Sequence, residues 1–344
     1  MGPISIMENY EQKIRQEISN YKVVENVHDL PEIAHYVNNR YLAPKLAAMG
    51  LKGFDDFYVT EIEKLAKTYP CETIEILSIG TGNCDLEVRL GQLLEKRGTA
   101  NWRFHCLDLN PHMLERGKGH ANESGLAAKF EFICTDINGW KAQSRQYHVV
   151  IANQSLHHFL ELELLFGKIS EALVDQGVFL THDMIGRNGH MRWPEALDVV
   201  NVFWGVLEDR YKYNQQLRRQ EPQFENWDCS QEGFEGIRAQ DILPLLLRRF
   251  NFEFFLGFGN IVDIFIDRSF GHNFDRNSDK DRCFIDLVVA MDEHLIESGQ
   301  IKPTHMLAAM TKRSLGTAVR VYKHLTPEFC VRMPERIGEY YGSS

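Results

Sequence analysis

The sequence lacks the patterns of disulfide frameworks, zinc motifs and membrane spans. No two of its seven cysteines have C-x-x-C spacing, their number is odd, and several lie in apolar, strand-like runs. This usage favours buried free thiols in a reducing compartment. No apolar run approaches the 18 residues of a membrane span, and the first residues lack the apolar core of a signal peptide. We therefore expect a cytoplasmic protein without a membrane partner.

Excess positive charge is also missing. The net charge is −10, and the basic runs, such as "LLLRRF", are short. An acidic balance argues against nucleic acid or an anionic membrane surface as the partner. The chain has 344 residues, of which 44% are hydrophobic, so it can form one large domain with insertions or two domains. No internal repeat or low-complexity segment is visible.

Strand-like and helix-like patterns alternate from Ile74 onward. The apolar runs are "IEILSIG", "WRFHCLDLN", "AKFEFICTDI", "YHVVIANQ" and "GVFLTHDMIG". The segments between them have apolar residues at helical spacing, with Pro or Gly near their ends. Such alternation predicts a parallel sheet covered by helices on both faces. We predict an α/β, Rossmann-like, doubly wound fold with a mostly parallel seven-stranded sheet and helical lid insertions.

The alternation breaks after Gly186, where an aromatic-rich and charged helical pattern begins. The aromatic residues of the additions suit a lid over an apolar or aromatic acceptor, and equally suit core packing or a homodimer interface. The predicted units are an N-terminal helical lid 1–73, a core 74–186, a lid insertion 187–238, the continued core 239–259, a second insertion 260–302, a last core strand 303–313 and a C-terminal extension 314–344.

A glycine pair ends the first predicted strand. The run Ile76–Ile79 stops at Gly80-Thr81-Gly82, and a helix pattern opens near Asp85. Ligands of open parallel sheets lie beyond the carboxyl ends of the strands, where glycines allow close approach to the backbone and helix N-termini offer free N–H groups. Taken alone, this stretch could also be a tight turn without a ligand.

The next strand ends add polar groups at the same edge. Asp108 ends the second strand, Asp136 the third and Asn153 the fourth. A carboxylate after the second strand can accept both hydroxyls of a ribose, so we predict an adenosine-like cofactor. A nicotinamide fingerprint would need glycine at the position of Asp85, where a carboxylate would repel a pyrophosphate. A neutral or cationic ligand such as S-adenosylmethionine fits better.

The stretches "ILSIGTGNCDLE", "CLDLNPHML", "CTDI", "VVIANQSLHHF" and "LVDQGVFLTHD", within Ile74–Asp183, resemble class I S-adenosylmethionine-dependent methyltransferases. The resemblance implies S-adenosylmethionine as cofactor and S-adenosylhomocysteine as product. The implied cofactor-binding residues are Gly80, Thr81, Gly82, Asp85, Asp108, Leu109, Met113, Asp136, Ile137, Asn153, Gln154 and Ser155. The sequence departs from the family at Ser78, where an acidic residue is usual, and at Cys84, where a third glycine is common.

Methyl transfer is an in-line displacement in which the protein aligns the reactants and excludes water, and a base is needed only for acceptors that lose a proton. Histidine suits that task. We predict His157, His158 and His182 as catalytic candidates. The alternative for "LHHF" is an ordinary start of a helix. His182 and Asp183 point to opposite faces of a strand and do not form a dyad by themselves.

The loop after the fifth strand, "DMIGRNGHMRWPEA", is rich in groups that bind ligands. Its arginines could hold a carboxylate or phosphate, or Arg192 could pair with Glu195 in a structural connection. We predict that its substrate-binding residues are Asp183, Arg187, His190, Arg192 and Trp193. The histidines His272, His294 and His305 are too widely spaced to indicate a metal site. A metal constellation of His182, His190, His272 and nearby acids stays a minor alternative, and no metal is predicted.

These observations predict an S-adenosylmethionine-dependent methyltransferase that acts on a small-molecule acceptor under a helical lid. Whether the methyl group goes to oxygen, nitrogen or carbon stays open. The alternatives are a protein methyltransferase, whose open acidic cleft would take a basic tail, and a non-catalytic methyltransferase-fold binding module. A nicotinamide-dependent oxidoreductase is the weakest alternative.

Overall fold

The computed structural model describes residues 14, 30–141, 144–231, 233–313, 316 and 318–332. The strands in chain order are β1 Ile74–Ile79, β2 Trp102–Asp108, β3 Phe130–Cys134, β4 Tyr147–Asn153, β5 Leu173–Met184, β6 Tyr213–Asn214, β7 Arg219–Gln220, β8 Asn251–Phe258, β9 His305–Thr311 and β10 Arg320–Val321. The pair β6 and β7 forms a separate antiparallel hairpin. This hairpin lies in the 187–238 stretch, for which the sequence pattern predicted helices.

The other eight strands form one sheet in the order β10-β8-β9-β5-β4-β1-β2-β3. Only β9 runs antiparallel to its neighbours β5 and β8. The prediction of a mostly parallel α/β sheet is therefore confirmed. The eighth strand, β10, pairs only Arg320 with Phe254 and Val321 with Phe255. Two residues leave no alternating pattern in a sequence, so a seven-stranded sheet was expected.

The helices alternate with the strands of the core and continue in the additions. They are α1 Glu32–Val37, α2 Ala43–Ala48, α3 Phe54–Thr68, α4 Asp85–Lys96, α5 Pro111–Glu123, α6 Leu162–Ala172, α7 Pro194–Val206, α8 Ala239–Arg249, α9 Ile261–Ile266, α10 Asp279–Glu297 and α11 Pro327–Cys330. A π-helical turn, Asn38–Leu42, joins α1 to α2. Helix α5 begins as the sequence predicts, because Pro111 occupies its first position and the Asn110 side chain accepts from the backbone N–H groups of His112 and Met113.

Two hydrophobic cores lie on the two faces of the sheet. Helices α3 and α4 cover one face, where Phe57 and Leu90 pack with Ile76 and Val149. Helices α6 and α8 cover the other face, and this core continues into α7, α9 and α10. Because the two faces are both buried, the central strands are continuously apolar rather than alternating.

The additional helices pack on one another beside the sheet. Helix α9 contacts α7 and α10, and α1 contacts α9. Within the predicted N-terminal lid 1–73, residues 1–13 and 15–29 lie outside the described residues, as do 314, 315, 317 and 333–344 of the predicted C-terminal extension. In the described ranges, no helix combines the length and apolarity that crossing a membrane requires.

Candidate active site

The carboxyl ends of β1 and β4 meet at the point where the strand order reverses, which is where open α/β sheets bind ligands. Gly80 has a φ of +69°, and a β-carbon there would lie 2.6 Å from the Cβ atom of Ser155. The Ser155 hydroxyl donates to the Ile79 carbonyl over 2.9 Å. Glycine is therefore required at position 80 both by its backbone angle and by the close approach of β4.

The carboxylate of Asp108 holds the glycine loop. Its Oδ2 atom accepts from the Gly82 N–H and its Oδ1 atom from the Asn110 N–H, each over 2.8 Å. A carboxylate is an acceptor-only group that can bind several donors at once. Asp136 lies two residues beyond the end of β3, and its Oδ1 atom accepts from the Asn138 N–H over 2.9 Å. Both carboxylates thus sit on short turns that fix their direction.

Asp108 and Asp136 line one cavity at this edge of the sheet. Of the predicted cofactor-binding residues, Gly80, Asp108, Leu109, Asp136 and Ile137 line it, as does the candidate base His158. Sequence reasoning missed the remaining lining residues, which are Ile14, Leu107, Thr135, Asn138, Phe159, Leu160 and Phe234. Apolar walls with two carboxylates suit a ligand with a flat ring and a sugar.

The other predicted cofactor residues surround this cavity without lining it. The Asp85 carboxylate lies 3.3 Å from His120 Nδ1, and Met113 is buried beside Gly82. The Asn153 side-chain oxygen accepts from the Tyr58 hydroxyl over 2.9 Å. Thr81 contacts the Cys84 thiol through its hydroxyl oxygen, 3.4 Å from Cys84 Sγ. These residues therefore shape the loop and the floor next to the cavity.

The two departures from the family pattern have local counterparts. Ser78 is buried, and its hydroxyl donates to Glu87 Oε1 over 2.6 Å, so a helical residue brings a carboxylate to this position. Burial raises the pKa of Glu87 to about 7. Cys84 has a left-handed backbone with a φ of +56°, as a glycine would. Its thiol packs where a β-carbon at Gly117 would come within 2.8 Å, so Gly117 makes room for it.

Three histidines surround one carboxylate behind the cavity. Oε1 of Glu235 lies 2.6 Å from His190 Nε2 and 3.3 Å from His157 Nε2, and its Oε2 lies 3.4 Å from His158 Nε2. His157 Nδ1 lies 2.6 Å from Asp183 Oδ1. Burial opposes the charged form of His157, but Asp183 and Glu235 outweigh it and raise its pKa to about 10. No local sequence pattern indicates that Glu235 belongs to this group.

Asp183, predicted as a substrate ligand, is fully buried. Its Oδ2 atom accepts from the N–H groups of Ser155 and Leu156, and its Oδ1 atom from Met184 N–H. Together with the His157 ring nitrogen, four donors contact the Asp183 carboxylate. Burial raises the pKa of Asp183, but His157 and these N–H groups lower it overall. The arrangement orders the turn after β4.

His182 lies apart from His157 and His158, on the opposite face of the sheet. Its ring stacks on Phe54, with centroids 4.6 Å apart, and lies 5.8 Å from Phe258 and 6.4 Å from His305. The Gln154 amide donates to His182 Nε2 over 3.2 Å. Burial, followed by the charge of His305, holds the pKa of His182 well below its usual range, so the ring is neutral near pH 7.

The loop arginines bond to the protein itself. The buried Arg192 donates from Nε to the Asn260 carbonyl and from Nη1 to the His190 carbonyl, and its Nη2 lies 3.6 Å from Asp263. Arg187 lies over the Trp193 ring and donates to the Arg192 carbonyl. Glu195, which was a possible partner of Arg192 on sequence grounds, pairs instead with Arg332, 2.7 Å away.

Residues 76–177 match a family model described as a methyltransferase domain. This range contains the glycine loop, Asp108, Asp136 and the β4 end. No curated protein sequence is significantly similar to the chain. The match therefore covers the strand ends that form most of the cavity, whereas β8, β9 and helices α7 to α10 lie outside it.

Solved structures resemble the fold at low identity. A geranyl diphosphate C-methyltransferase from Streptomyces coelicolor A3(2) is 9% identical over 88% of this chain and 98% of its own, with a TM-score of 0.45. A geranyl diphosphate methyltransferase solved with GPP and sinefungin is 11% identical over 75% of this chain and 76% of its own, with a TM-score of 0.43. The DszA carbon methyltransferase is 16% identical over 38% of this chain and 35% of its own, with a TM-score of 0.34.

Proposed function

Because residues 76–177 match a methyltransferase-domain model, we propose that the chain is an S-adenosylmethionine-dependent methyltransferase that acts on a small apolar or aromatic acceptor. The observation that carries the proposal is the cavity at the switch point of the sheet, where Asp108 and Asp136 face apolar walls. When bound, S-adenosylmethionine supplies an activated methyl group, so the protein's task is alignment and exclusion of water.

We place the acceptor beside Asn153 and Gln154, at the end of β4, where Gln154 bonds to His182. Phe54, His182, Phe258 and His305 form a continuous group of rings there, with Phe258 and His305 stacked at 5.5 Å. Flat apolar surface of this kind suits an aromatic or isoprenoid-like molecule better than a charged peptide. His182 has a lowered pKa, and its Nε2 atom accepts from the Gln154 amide, so it would pack against the acceptor rather than take a proton from it.

Of the other predicted catalytic residues, His158 lines the cofactor cavity, while His157 is buried and bonded on both ring nitrogens. We therefore retain His158 and His182 as the histidines that can reach a reactant. Arg187 and Trp193 stay candidates for binding an anionic group of the acceptor. Arg192 is better explained as a structural residue, because its guanidinium bonds within the protein.

Turnover with isotopically labelled S-adenosylmethionine tests the proposal. The acceptor panel contains phenols, apolar carboxylic acids and isoprenoid alcohols, with basic peptides as comparators. Transfer to a small molecule supports the proposal. Transfer to the peptides alone would favour the protein-methyltransferase alternative, and binding of S-adenosylhomocysteine without any transfer would favour a non-catalytic module.

The ring cluster gives a specific prediction. We expect Phe54→Ala to lower kcat/KM for the acceptor by about tenfold or more, because a lost ring contact of about 1.4 kcal/mol corresponds to tenfold. Affinity for S-adenosylhomocysteine should stay within about twofold, since Phe54 does not line the cofactor cavity. Phe252→Ala is the matched control, because Phe252 lies near the start of β8, whereas the ring group includes Phe258 at its end. Equal acceptor kinetics in both variants would remove Phe54 from the acceptor site.

Glu87 is proposed as the carboxylate that meets the cofactor's ammonium group. It is 2% exposed, and its Oε2 atom has no hydrogen-bond partner among the described residues. A buried carboxylate with an open acceptor costs free energy that a bound cation would recover. Its place next to Ser78 explains how the chain manages without the family's acidic residue at that position.

This assignment predicts opposite effects on stability and on binding. The pKa of Glu87 is raised from 4.5 to about 7, so its ionisation costs stability increasingly as pH rises from about 4.5 to 7. At pH 8, Glu87→Gln should raise the free energy of unfolding of the ligand-free protein by about 1–3 kcal/mol, since 2.5 pKa units correspond to at most about 3.4 kcal/mol. It should also weaken S-adenosylhomocysteine binding by about 10- to 100-fold.

Urea unfolding and calorimetry measure the two effects. The exposed Glu95→Gln, on the same helix, is the control and should change neither. Wild-type affinity should rise between pH 5.5 and 8 as Glu87 ionises, and the Gln variant should lack this rise. A Gln variant that gains stability but binds with unchanged affinity would leave Glu87 buried for another reason.

A further inference from the structure

We propose that His157, His190 and Glu235 bind one divalent transition-metal ion, and we expect zinc. The ligand atoms of these residues all lie within 4.8 Å of one another, the only such group in the part of the chain that the structure describes. The three residues come from separate segments, the turn after β4, the turn after β5 and the stretch before α8. Residues so far apart in the chain leave no ligand spacing that the sequence pattern could indicate.

The orientation of His157 is that of a metal ligand. Its Nδ1 atom lies 2.6 Å from Asp183, which leaves Nε2 directed at Glu235. Histidine ligands of metal ions usually have a carboxylate or carbonyl on the second ring nitrogen, which fixes both the tautomer and the ring plane. Asp183 is itself held by three backbone N–H groups. The ring is therefore set in place before any ion arrives.

The backbone at His190 has a strained conformation that directs the ring toward Glu235. His190 has a φ of +55°, which non-glycine residues rarely adopt. A β-carbon at Gly236 would lie 3.1 Å from the His190 ring, and the Gly189 N–H donates to the Gly236 carbonyl over 2.9 Å. Strain of this kind persists where the surrounding structure requires it, and it is concentrated at functional sites. Here it brings the His190 ring onto Glu235.

Two of the ligand distances can be compared with those around a tetrahedral ion. Bonds of about 2.1 Å in tetrahedral geometry place ligand atoms about 3.4 Å apart. His157 Nε2 and Glu235 Oε1 are already 3.3 Å apart, whereas His190 Nε2 and Glu235 Oε1, at 2.6 Å, would have to separate. Two imidazoles and one carboxylate suit zinc and its neighbours rather than magnesium or calcium. Water would complete the site, because His158 Nε2 lies nearer the other carboxylate oxygen, 3.4 Å from Glu235 Oε2.

The site adjoins the cofactor cavity without opening into it through its ligands. His158 and Phe234, the chain neighbours of His157 and Glu235, line that cavity, but the three ligands do not. The ion would therefore cross-link three segments that support the cavity wall. Its binding can be measured without the cofactor, so the result does not depend on the proposed function.

The test uses the full-length chain without a polyhistidine tag. Protein stripped with chelator, loaded with zinc and desalted should retain one zinc per chain by elemental analysis. Zinc should also raise its melting temperature by about 5 °C at concentrations well above Kd. His190→Ala and Glu235→Gln should each lose the retained zinc and weaken binding by about tenfold or more. The exposed His294→Ala should behave as wild type.

A second variant distinguishes a metal site from a hydrogen-bonded cluster. His190→Cys replaces the imidazole by a thiolate ligand, so it should recover zinc binding and, with cobalt, show thiolate-to-metal absorption. The proposal is overturned if wild type retains no more zinc than His190→Ala, or if both ligand variants retain it fully. In either case the three histidines and Glu235 form only a hydrogen-bonded network.

Discussion

Asp108→Ala is expected to weaken S-adenosylhomocysteine binding by about 30- to 1000-fold, that is, by about 2–4 kcal/mol. The carboxylate accepts from the Gly82 and Asn110 N–H groups, and Asp108 lines the cavity. Alanine would remove the charge-assisted bonds to two ribose hydroxyls and would leave those donors unpaired in a partly desolvated site. It would also release the glycine loop from its anchor.

Calorimetric titration with S-adenosylhomocysteine measures the loss, and melting curves separate it from unfolding. Asp108→Asn should lie between wild type and alanine, because one side-chain oxygen remains as an acceptor. Glu131→Ala, an exposed acidic residue on β3, changes the net charge equally and should bind normally. Unchanged affinity in a folded Asp108→Ala protein would withdraw the ribose assignment.

Asp183→Ala is expected to lower the free energy of unfolding by about 3–5 kcal/mol, because it leaves a buried cluster of donors without an acceptor. The lost partners are the N–H groups of Ser155, Leu156 and Met184, at 2.8 to 2.9 Å, and the His157 ring nitrogen at 2.6 Å. The turn after β4 carries both His158 and the cavity-lining Phe159. Cofactor affinity should therefore fall along with stability.

Urea unfolding followed by tryptophan fluorescence measures this change. Asp175→Ala removes an acidic residue from the other end of the same strand, where Asp175 is 42% exposed and lies near Arg145 and Lys312. Ion pairs of that kind contribute at most about 1 kcal/mol, so the control should be nearly as stable as wild type. A similarly small loss in Asp183→Ala would show that water or a rearranged turn replaces the lost acceptor.

The strand ends could be predicted because their signal is local. Asp108 and Asp136 follow apolar runs directly, and parallel strands bring such ends to one edge of the sheet. Glu87 also carried a signal that was overlooked. It shares helical spacing with Leu90, Gly91 and Leu94, and all four are buried. An acidic residue within an apolar helical stripe indicates a buried carboxylate that needs a partner.

Other parts of the site left no local signal. Phe234 and Glu235 reach the β4 turn from more than 70 residues further along the chain, and only the packing of α8 on that turn brings them there. For the same reason, Arg192 looked like a ligand-binding residue in a polar loop. Its acceptors, including the Asn260 carbonyl, come from a segment whose position the loop's own sequence does not encode.

The short strand β10 has a consequence for how the chain avoids aggregation. Strand β8, "NFEFFLGF", is strongly aromatic, and one of its two edges would otherwise be open to pairing with another chain. The two residues of β10 occupy the middle of that edge, and the Arg320 guanidinium lies 4.9 Å from the centroid of the Phe254 ring. A brief strand that carries a cation is a poor template for a longer ladder, so we expect this segment to protect β8 from pairing with another chain.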